Sequence, residues 1–231
     1  GINPNDKISI YSYNRKEWSY IYAATQIIRS VSVGVYHTCS PEEVNWIVSN
    51  SCSKIVFVGH NPSDNSENDR MPINRILPVL DSLKGVEKVV LMDDLEKVSH
   101  EKIITWNEFI SLGEGVDESD VQSRLKVLKS EDTSALIYTS GTTGNPKGVE
   151  LTHGNWEFQL EALNDILKFD QGEKYVSWLP LAHVFGQLVD NHIWIKDALH
   201  LHIVDNPLNI VDYAKEVKPH LFIGVPRIYE K

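Results

Sequence analysis

A glycine- and threonine-rich segment, "TSGTTGNPKG" (139–148), combines the residue types that hold phosphate. Glycines allow consecutive backbone N–H groups to point at one anion, and a lysine adds a mobile positive charge. The common P-loop has glycine before its lysine and serine or threonine after it, whereas Pro146 and Gly148 flank Lys147 here. The segment therefore predicts a polyphosphate site of another type. Its candidate ligand groups are Thr139, Ser140, Gly141, Thr142, Thr143, Gly144 and Lys147.

Strand-like segments flank this loop on both sides. "SALIYT" (134–139) is largely apolar, and "VELT" (149–152) alternates so that Val149 and Leu151 are predicted to face inward. The loop is therefore predicted to join two strands, with a helix beginning only after Thr152. A glycine-rich turn with solvated threonines is the alternative interpretation, but the length of the run behind a buried strand favours phosphate binding.

Strand and helix patterns alternate along most of the chain, which predicts an α/β fold with a mostly parallel sheet. Segment 60–71 is predicted to be a surface loop, and 114–133 has no clear pattern. Strands are predicted at 7–12, 31–36, 54–59, 86–93, 134–139, 174–178, 199–204 and 221–225. Helices are predicted at 15–30, 40–50, 73–83, 104–115, 155–168, 183–196 and 209–217, with another beginning near the last residue.

Composition narrows the range of partners. The 231 residues carry a formal charge of −10, which disfavours nucleic-acid binding. The two cysteines, Cys39 and Cys52, lack CxxC spacing, so we expect a reducing compartment and no disulfide framework. No apolar run approaches the roughly 18 residues of a membrane span, and no signal peptide is evident. We expect a cytoplasmic protein whose membrane contact, if any, is peripheral.

The glycine-rich segment, read as "YTSGTTGNPKGV", closely resembles the signature loop of the adenylate-forming enzymes, a superfamily that includes acyl-CoA synthetases, luciferases and peptide-synthetase adenylation domains. The loop of that family binds the pyrophosphate part of ATP. The resemblance implies that residues 139–144 and Lys147 bind nucleotide, that Lys147 assists catalysis and that Thr139 contacts Mg²⁺.

A second segment, "WLPLAHVFGQ" (178–187), resembles the next motif of the family, where a histidine or aromatic residue lies beside the carboxylate being activated. That resemblance assigns His183 to the reacting centre and to substrate binding. By itself, a histidine after the Leu179-Pro180 turn is more typical of a helix cap.

Four stretches resemble long-chain acyl-CoA synthetases, namely "SYNRKEW" (12–18), "VGVYHTCSPEEV" (33–44), "LPLAHVFGQ" and "GVPRIYEK" (224–231). The continuation "HVFGQLVD" resembles the very-long-chain, bubblegum group. Such enzymes hold the acyl tail in an apolar tunnel, which Phe185, Gly224 and Val225 are predicted to line. The alternative is that these three residues belong to the core.

The implied reaction has two steps. A fatty-acid carboxylate and Mg²⁺-bound ATP give acyl-adenylate and pyrophosphate, and CoA then displaces AMP to form the thioester. The resemblance places residues 1–231 in the large N-terminal domain, as a first α/β portion (about 1–130) and a phosphate-loop and acyl-site portion (131–231). The C-terminal lid domain is not in this sequence, so the chain alone is predicted to have little or no ligase activity.

Other functions stay open on the sequence. A kinase or NTPase would transfer the γ-phosphate, although the motifs for that chemistry are missing. A non-catalytic nucleotide- or acyl-binding module is a second alternative. Within the superfamily, luciferase-like, aryl-acid, medium-chain or amino-acid activation are nearer rivals. His200 and His202 have the spacing of metal ligands, but a solvated strand face is favoured.

Overall fold

The computed structural model describes residues 1–61, 71–93, 98–139 and 144–229. Its strands are β1 (Lys7–Ser12), β2 (Val31–Tyr36), β3 (Ser53–Gly59), β4 (Lys88–Leu91), β5 (Ile103–Thr105), β6 (Thr133–Thr139), β7 (Lys147–Thr152), β8 (Lys174–Ser177) and β9 (His200–Ile203). Its helices are α1 (Lys16–Ile27), α2 (Pro41–Asn50), α3 (Pro72–Ile76), α4 (Trp106–Ser111), α5 (Glu118–Leu125), α6 (His153–Asn164), α7 (Val184–Gly186), α8 (Ile193–Asp197), α9 (Ile210–Val217) and α10 (Pro226–Tyr229). Short 3-10 turns occupy Leu77–Ser82 and Pro207–Asn209.

Seven strands form the main sheet in the order β5-β4-β3-β1-β2-β6-β7. The first six run parallel, and only β7 runs antiparallel, beside β6. Parallel neighbours need crossover connections, and the intervening helices provide them. The predicted α/β fold with a mostly parallel sheet is therefore confirmed.

Helices cover the main sheet on both faces. The chain moves in one direction from β1 to β2 and in the other from β2 to β3, so right-handed crossovers place α1 and α2 on opposite faces. Trp18, Ile21 and Tyr22 of α1 bury the face that also contains Ile8 and Ile10. The opposite face packs against α2 and α3 through residues such as Val44, Ile47, Ile73 and Ile76.

A smaller unit follows the main sheet, and we call β8, β9 and helices α6 to α9 the second unit. Strands β8 and β9 pair in parallel over an apolar cluster that includes Tyr175, Val176 and Val189. The predicted strand at 221–225 is wrong as an extended element, because only Leu221 forms a bridge, with Tyr175. Residues 222–225 are not part of a strand, and α10 begins at Pro226.

The predicted helix at 183–196 is divided into three parts. A π-helical turn, Gln187–His192, separates α7 from α8. This turn joins the second unit to α1: the Ser19 hydroxyl donates to Asn191 Oδ1 over 2.8 Å, and the Tyr22 hydroxyl lies 2.5 Å from His192 Nε2. His192 also stacks on Trp156 of α6. Polar side chains thus connect the two parts of the molecule.

Among the remaining local predictions, the one for Val149 differs from the structure. Val149 is 46% exposed because β7 is an edge strand with little packed over it, although Leu151 is partly buried as expected. The unassigned stretch 114–133 contains α5, which begins at the Asp117 cap. The loop predicted at 60–71 lies mostly outside the described residues. Among the residues that are described, no helix has the length and apolar content to cross a bilayer.

Candidate functional site

The glycine-rich segment joins two strands, as the sequence predicted, and the structure shows that they pair in the antiparallel direction. Thr139, the last residue of β6, lies opposite Lys147, the first residue of β7. Lys147 is exposed there. Gly144 has a backbone φ of +90°, a conformation that favours glycine. The predicted ligand residues Ser140, Gly141, Thr142 and Thr143 lie outside the described residues.

Helix α2 supports the hairpin at its base. The Trp46 indole Nε1 donates a 2.9 Å hydrogen bond to the carbonyl of Pro146, immediately before Lys147. The Tyr138 hydroxyl donates to Asn50 Oδ1 over 2.7 Å. Helix α2 itself begins with a reciprocal capping box between Ser40 and Glu43, at the start of the helix predicted for 40–50. A rigid helix therefore holds the two ends of the loop.

His183 ends the segment 178–183, which leaves β8 and turns at Leu179 and Pro180. Its side chain is exposed, and its Nδ1 accepts a 3.2 Å hydrogen bond from the backbone N–H of Phe185. His183 therefore caps α7, as expected of a histidine after such a turn. The cap also fixes which ring atom faces the helix, so Nε2 is the atom left to point away from it.

One cavity of about 430 Å³ brings His183 and Thr139 together. It lies beyond the carboxyl ends of β2 and β6, the edge at which open parallel sheets bind ligands. Pro146, the acceptor of the Trp46 hydrogen bond, also lines it. The remaining lining residues are Tyr36, Thr38, Cys39, Glu43, Ile47 and Tyr138.

The thiol and phenol groups that line this cavity have raised pKa values. Burial raises the pKa of the Cys39 thiol to about 11, and burial also raises the pKa of Tyr36 and of Tyr138. These groups stay protonated near neutral pH and are poor nucleophiles. The cavity therefore holds these three groups in their protonated forms, in which they can take part in hydrogen bonds.

Oxygen donors suited to a hard cation also face the cavity. The lining residues include Thr38 and Thr139, which have hydroxyls, and Glu43, although one Glu43 oxygen already accepts from Ser40 N–H. Within the described ranges no three His, Cys, Asp or Glu residues form a cluster that could hold a metal ion. A Mg²⁺ ion here would need phosphate oxygens to complete its shell, which is how nucleotides commonly carry it.

An apolar groove of about 440 Å³ is lined by Val184, which follows His183 in the sequence, and by the predicted acyl-site residue Phe185. Phe185 is 36% exposed, and Phe158 of α6 is 66% exposed. Leu151, Asn155, Trp156, Gln159, Val184 and Leu188 complete the lining. Its walls are mainly hydrocarbon and aromatic, so the groove suits an apolar ligand.

The other predicted acyl-site residues lie elsewhere. Gly224 is partly buried and Val225 is 42% exposed, between the Leu221 bridge and α10. Neither residue lines the groove of Phe185 or the cavity of His183. The segment is fixed beside β8, where Trp178 Nε1 donates to the Ile223 carbonyl over 2.8 Å. The role of Gly224 and Val225 stays a prediction.

Sequence reasoning missed the residues that place His183. Asn14 hydrogen-bonds to the backbone of Leu179 and Leu181, and Gly34 of β2 lies against Ala182. A Cβ on Gly186 would lie 2.2 Å from the Pro180 carbonyl oxygen, so this position requires glycine. Asn14 and Gly34 are within stretches that resembled the family, but no spacing rule links them to His183.

Comparison with known proteins finds relatives that match along the whole chain. A human long-chain-fatty-acid–CoA ligase, ACSBG2, is 32% identical over 235 residues; the alignment covers 100% of this chain and 34% of that protein. The chain thus spans about a third of the length of this relative. A Xenopus laevis ligase of the same name is 29% identical, again over 100% of the chain and 31% of the relative.

Among solved structures, a red-emitting luciferase from Phrixothrix hirtus superposes with a TM-score of 0.73 at 17% identity, covering 95% of this chain and 40% of the luciferase. At that identity the likeness shows the fold alone. The family model of the AMP-binding enzymes matches residues 1–231. The chain therefore belongs to the AMP-binding enzyme family.

Proposed function

We propose that the protein containing this chain activates a long-chain fatty acid with ATP, releases pyrophosphate and transfers the acyl group to CoA. The observation that carries the proposal is the shared cavity of His183 and Thr139 at the carboxyl edge of the sheet. The likeness to proteins named long-chain-fatty-acid–CoA ligases supports the choice of substrate.

In the first step the fatty-acid carboxylate attacks the α-phosphorus of ATP, and the bond to the bridging oxygen of pyrophosphate breaks. Residues 139–144 donate hydrogen bonds to the two leaving phosphates, and Lys147 neutralises part of their charge. His183 orients the attacking carboxylate through the ring nitrogen that the Phe185 N–H leaves free. In this proposal the chain acts by positioning and charge neutralisation.

Magnesium enters with ATP in this proposal. The Thr139 hydroxyl would provide one oxygen ligand for the ion. The ion would neutralise charge on the leaving pyrophosphate. CoA is the second substrate, and its thiol attacks the acyl carbonyl and releases AMP.

The groove beside Phe185 is proposed to hold the first part of the acyl tail. Each buried CH₂ group contributes about 0.8 kcal/mol, so an apolar groove discriminates well between short and long chains. Gly224 and Val225 are proposed to contact the tail farther along, once the remainder of the protein is in place.

The division into portions of about 1–130 and 131–231 is part of the proposal, as is the need for a further lid domain. We also propose a reducing, cytoplasmic location with at most peripheral membrane contact. Free thiols at Cys39 and Cys52 are compatible with such a compartment. The isolated chain is expected to have little or no ligase activity.

The test is ATP–pyrophosphate exchange by the full-length protein, with carboxylic acids of graded length. We expect exchange that rises with chain length into the long-chain range. Preference for an aryl or medium-chain acid would replace the substrate assignment. Release of orthophosphate instead would indicate γ-phosphoryl transfer, and absence of exchange with every acid would indicate a non-catalytic module.

A further inference from the structure

We propose that Asn14 is the positioning residue that sets His183 over the phosphate-binding edge of the sheet. The inference rests on the proposed function, because it assigns a supporting role for the same reaction. It concerns two residues that are 169 positions apart in the sequence. Asn14 itself does not line the cavity that His183 and Thr139 share.

The Asn14 side chain holds the segment 178–183 through two hydrogen bonds. Its Nδ2 donates to the Leu179 carbonyl over 2.7 Å, and its Oδ1 accepts from the Leu181 N–H over 3.1 Å. The two contacts lie on the same turn, two residues apart, so they restrain both its position and its direction. An amide is required, since the turn offers one acceptor and one donor.

Asn14 is itself well placed to act as a fixed point. It follows β1, which is hydrogen-bonded to β2 on one side and to β3 on the other. Arg15, the next residue, is held by carboxylates of Glu17 and Asp93 at 2.8 and 2.6 Å. We call the two hydrogen bonds from Asn14 to Leu179 and Leu181 the clamp. Because Asn14 is fixed to the main sheet, the clamp fixes the segment that follows β8 relative to that sheet.

Apolar contacts bring the segment to the sheet but leave its direction less restrained. Leu181 is 1% exposed within the cluster of Trp18 and Ile10. Gly34 allows the backbone of Ala182 to approach, since a Cβ there would lie 2.8 Å from Ala182 Cα. These contacts set how deeply the segment lies, whereas the Asn14 amide sets the orientation of the backbone that leads to His183.

Loss of the clamp is expected to change the position of the His183 imidazole more than the binding of ATP. His183 follows Leu181 by two residues, so rotation of the turn moves the imidazole relative to Thr139. Misplacement of a reacting group by about 1 Å can reduce a rate by about a hundredfold. Loss of the clamp should lower kcat for adenylation and leave the KM for ATP nearly unchanged, because the β6–β7 hairpin is held separately by Trp46.

The first experiment uses Asn14→Ala in the full-length protein, with Gln26→Ala as the matched control. Gln26 is also partly buried and also bonds through its amide to both a carbonyl and a hydroxyl, those of Ser134. Ser134 is near the amino end of β6, whereas Thr139 is at the carboxyl end of the same strand. We expect kcat for pyrophosphate exchange to fall about tenfold or more in Asn14→Ala and less than about threefold in Gln26→Ala.

Hydrogen exchange gives a readout that does not depend on activity. The Leu181 amide should exchange at least about tenfold faster in Asn14→Ala, because its acceptor is gone, and should be unchanged in Gln26→Ala. Asn14→Asp keeps an acceptor for Leu181 but cannot donate to Leu179. It should protect the Leu181 amide while still lowering kcat.

A double variant tests whether Asn14 acts through His183. In a His183→Ala background, Asn14→Ala should change kcat by less than about twofold, because residues that act as a unit are not additive. Independent, multiplied losses would overturn the proposal, as would an Asn14→Ala variant with unchanged kcat or unchanged exchange at Leu181. An inactive wild-type protein would contradict the proposed function instead, and the exchange measurement would still test the clamp.

Discussion

The main sheet and the second unit hold their candidate residues in different ways. The β6–β7 hairpin continues the main sheet, and its strands keep Thr139 and Lys147 opposite each other through backbone pairing. His183 has no such ladder, and side chains and close backbone contacts from the main sheet fix its segment. The Thr139 and Lys147 side of the candidate site is thus built locally, whereas the His183 side depends on how two units dock.

Their interiors differ as well. The cluster between the main sheet and helices α2 and α3 contains mostly aliphatic side chains. In the second unit, the π-helical turn buries Gln187, Asp190 and Asn191 completely. Asp190 accepts from the hydroxyls of Tyr175 and Ser177 at 2.9 and 2.7 Å. Such a polar interior is directional, which suits an element that must dock in one orientation.

The largest effect is expected at the junction between the two units. In Gly34→Ala, the added methyl group would lie 2.8 Å from Ala182 Cα, so segment 178–183 must move outward. Overpacking of this kind costs about 1–3 kcal/mol. We expect adenylation by the full-length protein to fall more than about tenfold, beyond what the loss of stability explains.

Gly113→Ala is the control for that change, since its added Cβ would lie 3.2 Å from the Ile110 carbonyl oxygen and outside the site. Its pyrophosphate-exchange rate should stay within about twofold of wild type. If Gly34→Ala behaves in the same way, the junction does not position His183 and the contrast between the two regions is lost.

A smaller effect is expected on the hairpin side. Trp46→Phe removes the hydrogen bond to the Pro146 carbonyl and keeps an aromatic ring on α2. One such bond contributes about 1 kcal/mol, so the KM for ATP should rise about fivefold with little change in kcat. Initial-rate kinetics of the full-length protein with varied ATP would measure both constants.

Trp178→Phe provides the matched comparison, because it also removes an indole–carbonyl hydrogen bond, the one to Ile223. It should leave the KM for ATP unchanged. An equal rise in both variants would mean that Trp46 affects the loop only through general stability.

The smallest effect on activity, and a distinctive effect of pH on stability, is expected in the second unit. Burial raises the pKa of Asp190 to about 7, although hydrogen bonds from Ser177, Tyr175 and backbone N–H groups act to lower it. The folded protein then binds this proton more tightly than the unfolded chain, whose carboxyl has an ordinary pKa of about 3.9. The resulting stabilisation is complete below that value and is lost as pH rises through about 7.

Thermal melting of wild type and Asp190→Asn between pH 5 and 7.5 would measure this contribution. The Tm of Asp190→Asn should increase relative to the Tm of wild type as pH rises. Pyrophosphate exchange by the variant at pH 7 should stay within about twofold of wild type. Burial lowers the pKa of His37 and His192 to about 4, which gives the opposite pH dependence but is common to both proteins. A constant difference in Tm would show that Asp190 titrates normally.

Much of the main sheet could be predicted because its signals are local. The strand 31–36 matches β2 residue for residue, and the Ser40 cap marks the start of α2. Trp18, Ile21 and Tyr22 recur at helical spacing and form part of the buried side of α1. Each of these patterns depends on neighbours a few residues away. A central strand of a parallel sheet is buried on both faces, so apolar residues are favoured at successive positions.

The second unit was predicted less well because its elements depend on distant partners. A strand pattern at 221–225 produced only the Leu221 bridge, since a strand requires a partner and not only suitable residues. The π-helical turn leaves no periodic trace in "QLVDNH", as its polar residues are buried through contacts with α1 and β8. The prediction that Val149 faces inward was wrong for a related reason. Alternation predicts the two faces of a strand but not whether other elements cover them.

The sequence by itself determined the alternation of elements, the glycine-rich connection between two strands and the types of group available for phosphate. These follow from backbone preferences and side-chain chemistry, which act over short distances. Only the tertiary structure decided that His183 shares a cavity with Thr139 and that Asn14 and Gly34 hold its segment there. The Asn14 and Gly34 contacts join residues more than a hundred positions apart, and spacing in the chain carries no trace of the packing that brings such residues together.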